Sequence, residues 1–217
     1  MIRSQPHKPL ADCRNAEPSG DLLNNETFAA HGRRNDADAN RFAAITDDSK
    51  ETMMALANLK DIYIDQLQDI YSADGQAEKA TSELAEAAHN PKLKDALMAG
   101  VEGIEAGRKT LSEIITSHGE NPSGEFCKGM EGLVKEARSH GIEEEITDPD
   151  ARDAMIITQY QRMTHYGIAG YGCLVAFAKR LGLQDDAHKL QHCLDATADG
   201  DKTMTKLAEG GINEAAA

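Results

Sequence analysis

Four long stretches of helical periodicity, parted by short breaks carrying proline or glycine, leave this chain little choice but a bundle of helices. Leu59, Tyr63, Leu67, Ile70, Asp74, Ala77, Thr81, Leu84 and Ala88 recur at three- and four-residue spacing and so share one helical face. Asp47, Asp48 or Ser49 is the expected cap of this first helix, with Glu51 in its first turn. Asn90-Pro91 interrupts the pattern. A second helix follows with Leu93, Leu97, Val101, Ile104, Leu111 and Ile115 inward, ending near His118-Gly119. After a loop over 120–124, Met130 to Ala137 reads as a short helix. Asp148 caps the third long helix, Pro149 stands in its first turn, and Gly182 stops it after Leu181. The fourth runs from about Asp185 to Glu209, with Leu190, Leu194, Thr197, Asp201, Met204 and Ala208 on one stripe, and Gly210-Gly211 ends it. Short turns within each helix pair and one longer crossover between the pairs predict an all-α, antiparallel four-helix bundle with a short crossover helix.

Residues 49–210 therefore form the predicted bundle. Residues 1–48 carry Pro6, Pro9 and Pro18 and no sustained apolar period, and read as a flexible polar arm; residues 211–217 are expected to fray. The 217-residue chain is 40% hydrophobic but only 4% aromatic, with no Trp, which favours helices over sheets. Its net charge of −14 lacks the basic footprint that nucleic-acid binding requires. None of the four cysteines (Cys13, Cys127, Cys173, Cys193) forms a C-x-x-C pair, and no secretory apolar segment precedes them. Reduced thiols, a cytoplasmic setting and no membrane span are the expectations.

The polar and small residues on the inward faces carry what chemistry there is. Gly100, Gly103 and Gly107 share one face of the second helix, and Gly167 lies on the inward face of the third. Each glycine inside a helix costs about 1 kcal/mol relative to alanine. Such positions either draw the helices together or leave a cavity, which Tyr71, Tyr160 and Met163 would flank and a small organic ligand would fill. Closer packing is the simpler expectation. Asp74 and Asp201 are inward acids on the first and fourth helices, and an unpaired carboxylate there is costly. Thr197 sits one turn before Asp201 and is tolerable in a core. Glu102 and Glu105 fall on the side away from Val101, Ile104 and Leu111 and read as solvated. His188 and His192 have chelating spacing but lie off the apolar stripe. His165, beside Tyr166, reads as a hydrogen-bonding residue with metal ligation as its alternative.

Several motifs carry a resemblance. Tyr71-Ser72-Ala73-Asp74-Gly75-Gln76 is similar to a Y-S-A-E-K-Q helix, and Cys127-Lys128-Gly129-Met130-Glu131-Gly132-Leu133 to a C-x-A-M-E-G-L crossover. Arg152-Asp153-Ala154 matches R-D-A, and Thr164-His165-Tyr166-Gly167-Ile168-Ala169-Gly170-Tyr171-Gly172 is similar to E-H-Y-E-I-A-x-Y-G. Together these resemble the YciE/YciF family of ferritin-like bacterial proteins, from about Leu59 to Ala208. The resemblance implies a ferritin-like bundle, a link to stress responses, and a di-metal carboxylate site in which iron is the usual expectation. The site would draw an inward Glu from the first helix, His and Glu from the second, Glu from the third and acids from the fourth.

At those positions this chain departs from the family. The first-helix Glu is Asp74; the second-helix H-L-E-E-T is Gly100-Val101-Glu102-Gly103-Ile104; the two Glu of the third helix are Thr164 and Gly167; and the fourth-helix E-E-E-K-x-x-D is Asp195-Ala196-Thr197-Ala198-Asp199-Gly200-Asp201, with Thr197 in place of an acid and Asp201 kept. Gly100, Gly103, Gly167 and Thr197 thus mark lost ligand positions, and Asp74, Asp201 and His165 possible remnants. The leading expectation is a stress-associated protein with a degenerate di-metal site and a structural or binding role, without a resident cofactor. The alternative is an iron- or manganese-binding ferroxidase or peroxide scavenger with a site rearranged around Asp74, Asp201 and His165, with Asp199 or Glu105 as a further ligand. By analogy with such bundles a homodimer is expected, to which Met53, Met54 and Leu56 would contribute.

Overall fold

A computed structural model describes residues 56–217. The expectations placed on residues 1–48, on caps at Asp47, Asp48 or Ser49, and on Met53 and Met54 lie outside the described residues. Four long helices make the body: α1 (Leu59–Ala87), α2 (Pro91–Ser117), α4 (Pro149–Leu181) and α5 (Gln184–Leu207), with α3 (Lys128–Arg138) in the crossover. Neighbouring long helices are antiparallel. Asp153 at the start of α4 reaches the end of α1, while Gly170, further along α4, lies beside Ile70. Lys60 at the start of α1 meets His118 just after α2, and Gln161 of α4 meets Asp201 of α5. α1 packs on α2 and α4, and α5 on α4 and α2, closing a four-helix ring that α3 covers along α1 and α4.

The breaks act as the sequence indicates. Asn90 and Asp148 each accept two backbone N–H groups at the starts of α2 and α4, with Pro91 and Pro149 at the first helical positions, where a missing N–H costs nothing. Gly182 ends α4 in a left-handed conformation, φ 77°. Two boundaries differ from expectation. Residues 56–58 are not helical, and α1 starts at Leu59 under an Asn58 cap whose side chain accepts from the Lys60 and Asp61 N–H groups. At the other end, Gly210-Gly211 does not release the chain. The backbone widens into a π-helical turn over Ala208–Ile212, Gly211 takes φ 134°, and Ile212 is buried against the core before a final short helix, α6 (Asn213–Ala215). A single buried isoleucine, worth about 2 kcal/mol, holds an end that a glycine pair alone suggests is loose.

The family-like motifs are seams. Arg152 donates to the carbonyls of Gly141, Ile142, Glu144 and Ile146, fastening the descending crossover, while the wholly buried Asp153 accepts the His89 and Asn90 N–H groups at 2.8 and 2.7 Å and closes the α1–α2 turn. Cys127 caps α3 through Sγ; its N–H is donated to Ser72 and its carbonyl accepts from Gln76, both on α1. Tyr166 of α4 donates to Asp69, and its hydroxyl lies 3.0 Å from the Cys127 thiol. The apolar interior divides into two clusters: one around Leu84, Leu93, Leu97 and Ile156, the other around Leu67, Leu111, Ile114 and Leu174.

Candidate functional site

Between the two apolar clusters the bundle opens into a cavity of about 450 Å³. Its wall on α2 is Ala96, Ala99, Gly100, Gly103, Ala106 and Gly107; on α5 it is Cys193, Ala196, Thr197 and Gly200; Tyr160, Met163, Thr164, Gly167 and Tyr171 face them from α4, and Asp74, Ala77 and Thr81 from α1. Small residues on facing stretches of α2 and α5 keep their seam from being filled. Ala99, Gly103, Ala106, His192, Ala196 and Thr203 are exposed as well as lining, so this seam is the mouth. Closer packing, the simpler of the two expectations for the glycines, is therefore corrected: the helices do not close over the missing side chains. Tyr160 and Met163 flank the cavity as expected, whereas Tyr71 is not part of its wall.

The glycines fall into two kinds. Gly103 and Gly167 leave space: a Cβ at Gly103 would meet nothing within 4 Å, and one at Gly167 would touch only Thr197 Cγ2 at 3.7 Å. Gly100 and Gly107 make room for tyrosines of α4. A Cβ at Gly100 would stand 2.8 Å from the Tyr160 hydroxyl, and one at Gly107 2.7 Å from the Tyr171 hydroxyl and 3.5 Å from Asp74 Oδ2. Helical spacing on a single element shows the vacancies but not which neighbour's bulk enters them, and so Tyr171, whose phenol fills the space at Gly107, is the site residue that sequence reasoning missed.

Asp74 is the carboxylate of the cavity wall. It is 7% exposed, and Tyr171 donates to its Oδ2 at 2.6 Å. Burial pushes its carboxyl up to about 7, against a downward pull from the Tyr171 hydrogen bond and the positive charge of Arg108, and a further upward push from Glu78. Arg108 itself is paired with Glu78 at 2.6 Å and does not reach Asp74 as a direct partner. Burial and the neighbouring Asp74 hold the Tyr171 phenol far above its ordinary value, so it stays a donor. Burial likewise raises the Cys193 thiol and the Tyr160 phenol.

The remaining sequence candidates lie elsewhere. Asp201 does not line the cavity: its Oδ1 accepts from Gln161 at 3.0 Å and stands 3.2 Å from His165 Nε2, in the outer seam between α4 and α5, with the His165 side chain 64% exposed. The structure thus joins His165 to Asp201 but joins neither to Asp74. Thr197 lines the cavity while its hydroxyl returns to the Cys193 carbonyl within α5. Glu102 and Glu105 are exposed, and so are His188 and His192, the latter at the mouth. Among the described residues, no three His, Cys, Asp or Glu side chains converge as an ion-binding group. No helix among them is long and apolar enough to cross a membrane.

An all-α bundle with a solvent-reaching interior cavity and one acid in its wall is the class of protein that fold and site define. Residues 58–217 match the family described as a domain of unknown function, DUF892. The chain is 32% identical over 164 residues to Protein YciF of Escherichia coli K12, covering 75% of this chain and 98% of that one. The solved structure of the E. coli stress protein YciF superposes with a TM-score of 0.67 at 33% identity over 72% of this chain and 98% of its own. The Rhodopseudomonas palustris protein YcfI gives 0.66 at 31% identity, over 70% and 96%. The chain belongs to the YciE/YciF family.

Proposed function

We propose that this protein is a binding member of its family in which a ligand cavity stands where the resemblance places a pair of metal ions. The observation that carries the reading is the cavity's wall: glycines at Gly100, Gly103 and Gly167, threonines at Thr164 and Thr197, and Asp74 as its carboxylate. Two ions in a carboxylate-bridged site take several Glu and His side chains from facing helices, and that donor set does not fit here. Asp74 has one oxygen engaged by Tyr171. Asp201 and His165 pair with each other away from the cavity. A volume of this size, mostly apolar with a few placed polar groups, suits a small organic molecule.

Aerobic iron titration followed by elemental analysis, with ferroxidase turnover measured in parallel, tests the proposal. The expected result is substoichiometric iron after desalting and no turnover above background. A tightly held pair of irons per chain would overturn the proposal and favour the metalloenzyme instead. A role alongside the stress protein YciF, a cytoplasmic setting and a homodimer belong to the same proposal, the last checked by sedimentation equilibrium.

A further inference from the structure

Resting on that reading, the walls of the cavity also specify what enters it. The geometry points to a small apolar molecule carrying a protonated amine, which donates an N–H to Asp74 Oδ1 and seats its apolar body against Met163, Tyr160 and Ile104. Three observations converge on this chemistry.

First, Tyr171 takes only Oδ2 of Asp74. Among the described residues no fully buried side-chain nitrogen or oxygen lacks a partner, so Oδ1 is not sealed in protein but reaches the open space it borders. An acceptor held in place by a phenol donor, with its second oxygen facing a cavity, is half of a charge-assisted hydrogen bond. Second, among the described residues no side-chain cation pairs with Asp74. Arg108, whose positive charge acts on Asp74, is committed to Glu78 at 2.6 Å and lies near the Tyr71 ring, outside the cavity wall. A neutral guest would leave the acid without an ionic partner, and an anion would be repelled by its charged form. Third, the route in favours cations. The chain carries a net charge of −14, which enriches positive solutes at its surface. Inside, Tyr160 and Tyr171 line the cavity, and aromatic rings attract an ammonium group placed over them.

Calorimetry on the full-length protein at pH 7.5 with three probes of one shape (benzylamine, benzyl alcohol and benzoate) tests this, with amide shifts of Gly100, Gly103 and Gly107 reporting the location. Benzylamine is expected to bind about tenfold or more tightly than benzyl alcohol, and benzoate least. Asp74→Asn should bring amine and alcohol to within about twofold of each other. Gly103→Leu, placed where an added side chain meets open space, should abolish binding of both while thermal unfolding stays cooperative; it serves as the control should Asp74→Asn fold poorly. Equal binding of amine and alcohol overturns the amine assignment and leaves the ligand cavity standing. Binding of neither probe overturns both the inference and the proposed function, as does amine binding that Gly103→Leu leaves untouched.

Discussion

Two aspartates of this bundle are buried almost equally and live in opposite circumstances. Asp153, at the end where α4 begins, is 0% exposed and accepts two backbone N–H groups at 2.7 and 2.8 Å. Asp74, in the middle, is 7% exposed and is given one phenol. Helix ends supply orphan N–H groups that can solvate a carboxylate; the middle of a helix supplies none, because its N–H groups are already spent. The end of the bundle therefore holds an acid as structure. The middle holds one at a cost, and burial there pushes the carboxyl up to about 7. A buried acid left with one donor beside a cavity is what separates the site from the scaffold.

The comparison breaks most readily at Asp153. Asp153→Ala would strip two N–H groups of the acceptor they share and is expected to destabilise by about 2 to 4 kcal/mol in chemical unfolding. Asp153→Asn, which keeps one acceptor, should cost about half as much. Asp74 should behave oppositely. Its folded value lies above that of an unfolded aspartate, so between about pH 4 and 7 the native state holds a proton that the unfolded chain has released. Its contribution to stability is therefore full below about pH 4, falls as pH rises to about 7, and stays flat above. The loss is of order 4 kcal/mol at most, and Asp74→Asn should remove that slope and raise stability at pH 8. Denaturant midpoints across pH 4 to 8 for the two proteins check this; a parallel pair of curves would contradict it.

Smaller effects sharpen the contrast within the cavity. Gly107→Ala drives a methyl into a Tyr171 hydroxyl that Asp74 holds in place, and should cost about 1 to 3 kcal/mol. Gly103→Ala enters empty space and should stabilise by up to about 1 kcal/mol through helix propensity. Opposite signs of the shift in thermal midpoint for these two glycines of one helix would confirm that only one of them makes room for a neighbour. Smallest of all, His165→Ala removes a largely exposed partner of Asp201 and should change stability by less than about 0.5 kcal/mol.

Much of the scaffold was legible in the sequence because local signals and the fold agree. Asn90-Pro91, Asp148-Pro149 and Gly182 mark boundaries by rules that need no tertiary context, and the inward stripe of α1 put Asp74 inside correctly. What escaped depends on partners distant in the chain. Asp201 shares a stripe with Leu194 and Met204, yet Gln161 and His165 of α4 draw it to the outer seam. Arg152-Asp153 matched a motif without disclosing that one residue serves the crossover and the other the α1–α2 turn. Ile212 stands after two glycines with no periodic neighbour, and only its burial explains why the end of the chain turns back.

The adjacency of Arg152 and Asp153 bears on how the molecule assembles. Two connections far apart in the chain, the turn at 88–90 and the end of the crossover at 141–146, are both completed by neighbouring residues in the first turn of one helix. Both connections lose these hydrogen bonds if that turn departs. The amides of His89 and Asn90, though they lie outside any helix, should then exchange with solvent as slowly as the α4 amides beside them, reporting in a single time constant the moment when the two helical hairpins part.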